Sequence, residues 1–259
     1  MSGIVTLLTD FGMRDGYVAA VKGVLLSRAP GLIFVDVSHD IPPGDVAAAA
    51  FALLQAAPHF PAETVHLAVV DPGVGGPRRG LAARVGEQLF VGPDNGLLTH
   101  LAVDVPVVAH EITSPIFAPR DASPVFHGRD VFAPVAAFLA QGGAAAAVGG
   151  QVTSDSLERL ELPQARATEQ GWDGAVIHVD HFGNLISNVR VEPESRGEVV
   201  LGAERMPLVR TYSDVPAGSL VAVRGSTGRL EVACNGGSAA ELTGATRGDV
   251  VTLRVLQRS

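Results

Sequence analysis

The stretch IVTLLTDFGMRDGYVAAVKGVLLSRAPGLIFVDVSHD, running from Ile4 to Asp40, decides the fold class. Ile4–Leu8 reads as a buried strand that gives way to Asp10 and Gly12. Asp15–Arg28 then carries Val18, Val21, Val24 and Leu25 at the spacing of one helix face and stops before Pro30. Leu32–Val37 is a second strand, followed by Ser38, His39 and Asp40. The alternation continues outward. Asp45–Ala57 reads as a helix, Thr64–Val70 as a strand, and Leu81–Val85 with Gln88–Val91 as a hairpin pair around Gly86 and Glu87. Asn95–Val103 and Asp130–Gln141 have helical spacing. Strands alternating with helices predict an α/β domain with a mainly parallel sheet covered on both faces.

The period changes after Gly142. Ala144–Ala147 is a run of small residues, and Gln164–Gln170 is polar without a clear period. From Trp172 onward the helical spacing disappears. Ala175–Val179, Leu185–Val191, Val199–Leu201, Pro207–Arg210, Leu220–Arg224, Leu230–Cys234 and Val250–Leu256 are short apolar runs bounded by turn residues. Such spacing predicts a small antiparallel sandwich or barrel. The expected domains are therefore residues 1–165, α/β, and 172–259, an antiparallel β-barrel-like domain, with the boundary near 160–172.

Composition narrows the function classes. Of 259 residues, 47% are hydrophobic and 18% charged, which is a globular mixture rather than a disordered one. A net charge of −8, with Arg78-Arg79 as the densest basic cluster, argues against nucleic acid as a partner. The longest apolar stretch, Ala47–Ala57, is interrupted by Gln55 and ended by Pro58, far short of a membrane span. Met1-Ser2-Gly3-Ile4 enters a strand without a charged-then-apolar leader, so a cytoplasmic location is expected. The single Cys234 excludes an intramolecular disulfide framework, and His39, His59, His66, His100, His110, His178 and His181 lack ligand spacing, so no metal is expected.

In parallel α/β sheets ligands sit beyond the carboxyl ends of the strands, and here those ends carry the polar residues. Asp10 follows the first strand, where a carboxylate can accept two hydrogen bonds from a vicinal diol such as a ribose. It can equally cap the next helix, for which Asp15 is the better candidate. Asp71-Pro72-Gly73-Val74-Gly75-Gly76-Pro77-Arg78 follows the third strand. Its glycines permit close backbone approach, and the seven-residue spacing permits Asp71 and Arg78 to fold back onto each other, for chemistry or as a structural pair. The loop is neither a Gly-x-Gly-x-x-Gly fingerprint nor a Walker loop, which counts against a dinucleotide oxidoreductase. His127 opens the helix that starts near Asp130, where helix amides favour an anion and a neutral imidazole. Pro93-Asp94-Asn95-Gly96 reads as a turn into a helix. Asp180–Asn184 and Arg224–Glu231 read as hairpin turns on their own.

Taken in order, six segments resemble the S-adenosyl-L-methionine (SAM) hydroxide adenosyltransferase family, hydrolase relatives of the bacterial fluorinase and chlorinase. They are Thr9-Asp10-Phe11-Gly12, Asp71-Pro72-Gly73-Val74-Gly75, Pro93-Asp94-Asn95-Gly96-Leu97-Leu98, His127-Gly128-Arg129-Asp130-Val131-Phe132-Ala133-Pro134, Asp180-His181-Phe182-Gly183-Asn184 and Ser226-Thr227-Gly228-Arg229-Leu230-Glu231. The resemblance covers nearly the whole chain. It implies an N-terminal α/β domain, a C-terminal barrel-like domain, and a homotrimer whose active sites lie between one subunit's N-domain and its neighbour's C-domain. It implies catalytic roles for Asp71, Arg78 and His127, with the spacing favouring Arg78 over Arg79. Asp10 would hold the ribose diol, Asp15, Asp180 and Ser226 would surround the amino-acid end of the substrate, and Asn184 and Tyr212 the adenine. Glu231 belongs to the same C-domain motif, and Phe126 and Tyr212 would flank the adenine or ribose. SAM is then the substrate, no cofactor is needed, and the products are adenosine and methionine. The fluorinase has Tyr-Pro-Ala-Thr where this chain has Asp71-Pro72-Gly73-Val74, and Ser where it has Gly128. A carboxylate at that place repels halide and accepts hydrogen bonds from water. Halide transfer giving 5′-halo-adenosine, and adenosine or SAM binding without catalysis, are the alternatives.

Overall fold

In the computed structural model, which describes residues 3–103 and 105–256, the chain divides into two compact units between Leu160 and Glu161. The first begins as the opening stretch predicts: β1 (Ile4–Thr9), α1 (Tyr17–Arg28), β2 (Ile33–Ser38), α2 (Val46–Ala56) and β3 (Val65–Val69). The expected hairpin is β4 (Gly80–Val85) with β5 (Gln88–Pro93). After β6 (Val107–Glu111) come α3 (Ala133–Ala140) and β7 (Gln151–Val152). The sheet order is β2-β1-β3-β5-β4-β6-β7. β2, β1, β3 and β5 are parallel neighbours, and the pairs beyond β5 are antiparallel.

Alternation along β1 explains why both faces are covered. Leu7 packs with Val21 and Leu25 of α1 and Val135 and Leu139 of α3, whereas the next residue, Leu8, packs with Ala49 and Leu53 of α2. Burying each such side chain contributes about 1.5–3 kcal/mol. α2 starts where Asp45 accepts a hydrogen bond from the Ala48 amide at 3.0 Å, a cap worth about 1 kcal/mol.

Three expectations for this unit are corrected. Asn95–Val103 is not helical but a series of turns. The Thr99 hydroxyl donates to the Gly96 carbonyl and accepts from the Leu160 amide, so tertiary bonds displace the helical ladder. Neither Asp10 nor Asp15 caps α1, whose N-cap position is Gly16 without a side-chain bond. The helix after His127 opens with a π-helical turn, Gly128–Phe132, in which the Ala133 amide reaches the Gly128 carbonyl. Pro134, with no N–H to offer the Asp130 carbonyl, disfavours an ordinary α-turn there.

The second unit contains β8 (Arg166–Thr168), β9 (Gly171–Val179), β10 (Leu185–Arg190), β11 (Gly197–Leu201), β12 (Glu204–Val209), β13 (Leu220–Arg224), β14 (Arg229–Cys234), α4 (Ala239–Thr243) and β15 (Val250–Val255). Seven strands in the order β10-β14-β13-β12-β11-β15-β9 close into a barrel through the β9–β10 pair, and β8 extends from β9. Closure removes the exposed edges that an open sheet of short strands would present. Val176, Leu185, Met206, Leu230 and Leu253 fill its interior. The pairs are antiparallel except β12–β13, which is parallel. α4 and β8 depart from the expectation of a helix-free second half and of an aperiodic Gln164–Gln170. Both are short, and Ser238 caps α4 by accepting from the Glu241 amide.

Candidate active site

Three neighbouring parallel strands, β2, β1 and β3, end in His39, Asp10 and Asp71 respectively, each within two residues of the strand. The loop after β3 is compact: the Val74 amide bonds the Asp71 carbonyl, and the Gly76 amide the Gly73 carbonyl. Gly75 has φ +77, and a Cβ there would lie 2.4 Å from the Pro124 carbonyl oxygen. Only glycine therefore lets this loop lie against the segment leading to His127.

That loop returns Arg78 to Asp71 as a fork. Arg78 Nε donates to Asp71 Oδ1 at 3.0 Å, and Nη2 donates to Oδ2 at 2.5 Å. Both side chains are largely buried, at 13% and 5% exposure. The same Nη2 lies 2.7 Å from His127 Nδ1. A guanidinium only donates, so His127 Nδ1 must accept, and a neutral ring then carries its proton on Nε2. Burial lowers the His127 pKa, and the neighbouring Arg78 charge lowers it further against the opposing pull of Asp71 and Asp130. The sequence reading of a neutral imidazole holds in direction, but its main cause is burial rather than helix amides. Phe132 supplies the floor: the Arg78 guanidinium carbon sits 5.3 Å from its ring centroid.

The doubled arginine separates cleanly. Arg79 turns to Asp94, donating from Nε at 2.9 Å and Nη2 at 2.5 Å, and also bonds Ser156. Asp94 Oδ1 accepts from the Glu158 amide. Pro93-Asp94-Asn95-Gly96 is thus a buried anchor for Arg79, with Asn95 donating to the Val70 carbonyl just before Asp71.

Asp10 Oδ2 accepts from the Gly44 amide at 2.8 Å. Asp15 is exposed on the segment before α1. Phe126 is half-buried in a trio of rings with Phe11 and Tyr17, all edge-to-face with centroids 5.4–6.2 Å apart.

The barrel holds its own group. Asp180 closes the β9–β10 turn, Oδ1 accepting from the Phe182 and Asn184 amides and Oδ2 from Asn184 Nδ2, each at 2.9 Å. Gly183 has φ +78, and a Cβ there would strike Ser238 Oγ at 2.0 Å. Tyr212 donates its hydroxyl to Glu231 Oε1 at 2.5 Å. Burial raises the Glu231 pKa, the Tyr212 bond opposes this, and Asp180 adds to it. Tyr212 is likewise raised, by burial first and then by Glu231. Ser226 is exposed in the β13–β14 turn.

Asp71, Arg78 and His127 thus meet in the first unit, and Asp180 and Asn184 meet, as do Tyr212 and Glu231, in the second. Phe132, beneath Arg78, and Tyr17, beside Phe126, were not expected from the sequence. The phenylalanine lies within a quoted motif, whereas Tyr17 carries no motif signal. Among the described residues no group of three or more His, Cys, Asp or Glu is arranged to hold a metal ion, and no helix is long and apolar enough to cross a membrane.

Comparison with known proteins gives the family. Residues 5–149 match the model of the SAM hydroxide adenosyltransferase N-terminal domain, and residues 174–252 that of its C-terminal domain. The chain is 47% identical to a protein of Salinispora tropica named (R)-S-adenosyl-L-methionine hydrolase, over 95% of each chain. It is 46% identical to a protein of the same name from Thermus thermophilus, over 96% of this chain and 98% of that one. The crystal structure of an uncharacterised conserved protein from Thermotoga maritima superimposes with a TM-score of 0.87 at 33% identity, covering 96% of this chain and 99% of that one. On two matched domains and near full-length identity, the chain belongs to the SAM hydroxide adenosyltransferase family.

Proposed function

We propose that this enzyme cleaves (R)-S-adenosyl-L-methionine by attack of a hydroxide-like water on C5′, forming adenosine and L-methionine. The observation that carries the reading is the Asp71–Arg78–His127 contact set, which leaves the His127 Nε2–H donor and acceptor capacity on Asp71 for a single water. His127, with Nδ1 occupied by Arg78, has Nε2–H to offer. Asp71 receives two N–H groups from Arg78, the Nε–H shared between both oxygens and one Nη2–H, and a carboxylate has about four acceptor positions, so capacity remains for a water proton. The sulfonium leaving group needs no acid. The enzyme's task is therefore to hold the nucleophile in line and accept its proton, for which alignment contributes up to about 7–11 kcal/mol and fixed donors several more.

Asp10 takes the ribose diol in this reading, Phe126 and Tyr212 flank adenine or ribose, Asn184 and Tyr212 meet the adenine, and Asp15, Asp180 and Ser226 meet the methionine end. Glu231 sets the Tyr212 hydroxyl. The barrel group acts on a neighbouring copy's Asp71 site in a homotrimer. Exposed apolar side chains near each group support this, namely Met13, Tyr17 and Val125 in the first unit and Phe182 and Tyr212 in the barrel.

The test is product analysis by chromatography after incubating purified protein with SAM. Adenosine and methionine should appear in equal amounts, with no 5′-chloro-adenosine when chloride is added. Asp71→Ala, Arg78→Ala and His127→Ala should each lower turnover while adenosine still binds. Wild-type turnover in all three would overturn the assignment. At sub-saturating SAM, mixing Asp71→Ala with Tyr212→Ala protein should raise activity above the sum of the two alone through hybrid sites, and no gain after subunit exchange would overturn the shared site.

A further inference from the structure

Behind Asp10 lies a buried polar chain that the proposed chemistry does not use. Thr9 and His39 are 1% and 5% exposed. Thr9 Oγ1 lies 2.7 Å from His39 Nδ1, and His39 Nε2 lies 3.1 Å from Asp36 Oδ1, an electrostatic approach without a well-aligned hydrogen bond. Asp36 Oδ2 in turn takes the Lys22 ammonium at 2.7 Å. The carboxylate favours the imidazole proton on Nε2, so Nδ1 accepts and the Thr9 hydroxyl donates. The Thr9 oxygen is then free to accept the Phe11 amide at 3.3 Å, while the His39 carbonyl accepts the Gly12 amide at 2.8 Å. Asp10 sits between these two bonds, and its carboxylate is held from the same 38–44 loop by the Gly44 amide. The register of β1 with β2 slips at this point, from Leu7 opposite Asp36 to Leu8 opposite Ser38. A bulge of this kind re-aims the side chains that follow it, here His39.

We propose that His39, acting through Thr9 and the Gly12 amide, is a positioning residue that sets the Asp10 carboxylate for a vicinal diol and so governs discrimination for a ribose 2′-hydroxyl. This inference rests on the reading that Asp10 takes the ribose. A buried histidine that only stabilised the fold would weaken all ligands alike, whereas a positioning role acts on the ligand that has both hydroxyls.

The experiment compares adenosine with 2′-deoxyadenosine by calorimetry in four variants. Asp10→Ala should abolish the preference for adenosine. His39→Gln keeps a group at the Nε2 position but not at Nδ1, and should reduce the preference about ten-fold, the value of one hydrogen bond to a charged group, with 2′-deoxyadenosine affinity changed less than two-fold. Thr9→Val should do the same and Thr9→Ser should restore the wild-type ratio. Should His39→Gln not fold, the Thr9 pair decides alone. A wild-type ratio in His39→Gln and Thr9→Val, with the preference lost in Asp10→Ala, overturns the role of His39. A wild-type ratio in Asp10→Ala overturns the ribose assignment itself.

Discussion

The α/β unit and the barrel each bury a carboxyl group, and they compensate it in different ways. Asp71 meets the forked guanidinium of Arg78, a permanent cation. Glu231, 7% exposed, accepts from the neutral phenol of Tyr212, and burial pushes its pKa up. A forked charged pair presents a fixed field to a group placed beside it. A buried carboxyl without a cation partner is shifted toward its neutral form by burial, a setting that suits recognition of an uncharged ring. Under the proposed roles, the difference matches strong electrostatic demand where the bond is cleaved and weak demand at the adenine.

The contrast is sharpest at Asp71. Asp71→Asn keeps the size of the side chain but removes the charge facing Arg78, and turnover should fall about 10³-fold, near the loss of a preorganised transition-state contact. Steady-state rates and adenosine calorimetry on the same protein measure this, and a fall below ten-fold breaks the proposed contrast.

Stability should respond to acid in the α/β unit. His66 is fully buried in β3, bonded to Thr6 Oγ1 at 2.8 Å and stacked on Phe90, and burial pushes its pKa down to about 4 despite the opposing effect of Gln88. Its folded pKa is below the unfolded value of 6.5, so its contribution is intact above pH 6.5 and declines as pH falls toward 4. The loss over that window is about 3 kcal/mol. Denaturant titrations at pH 7.5 and 4.5 should show it, and His66→Phe should remove this part of the slope.

A smaller effect is expected in the barrel. Tyr212→Phe removes the donor that holds Glu231 and should weaken adenosine binding about ten-fold, with little change in the rate at saturating substrate. Loss of turnover with unchanged binding would place Tyr212 with the reacting atoms instead. Smallest is Glu231→Gln. Because the folded pKa of Glu231 is raised, its unfavourable contribution is absent below the unfolded value of 4.5 and grows as pH rises toward the folded pKa. Melting temperatures should therefore favour the variant more at pH 8 than at pH 5, opposite in sign to the His66 effect.

Much of this was legible along the chain. The seven expected strands of the second half each coincide with an observed strand to within a few residues, because isolated apolar runs between Gly, Pro, Asn and Asp leave few other conformations. β6 carried no recognised signal. Asn95–Val103 failed for a definite reason: its helical spacing comes from Leu97, Leu98 and Leu101, but Thr99 is bonded to Leu160, a partner sixty-one residues away. At the site, the seven-residue spacing of Asp71 and Arg78 was readable, whereas the path of Arg79 to Asp94 and Ser156 was not.

Local sequence by itself determined the alternation of elements, the strand-end placement of Asp10 and Asp71, and the family, since these depend on periodicity and on short motifs. Only the tertiary structure decided that His127 Nδ1 accepts from Arg78, that Glu231 pairs with Tyr212, and that β10 closes the barrel against β9. Each of those depends on groups distant in sequence being brought within hydrogen-bond reach. Burial and direction, which no local pattern encodes, then determine the tautomer, the charge state and the partner.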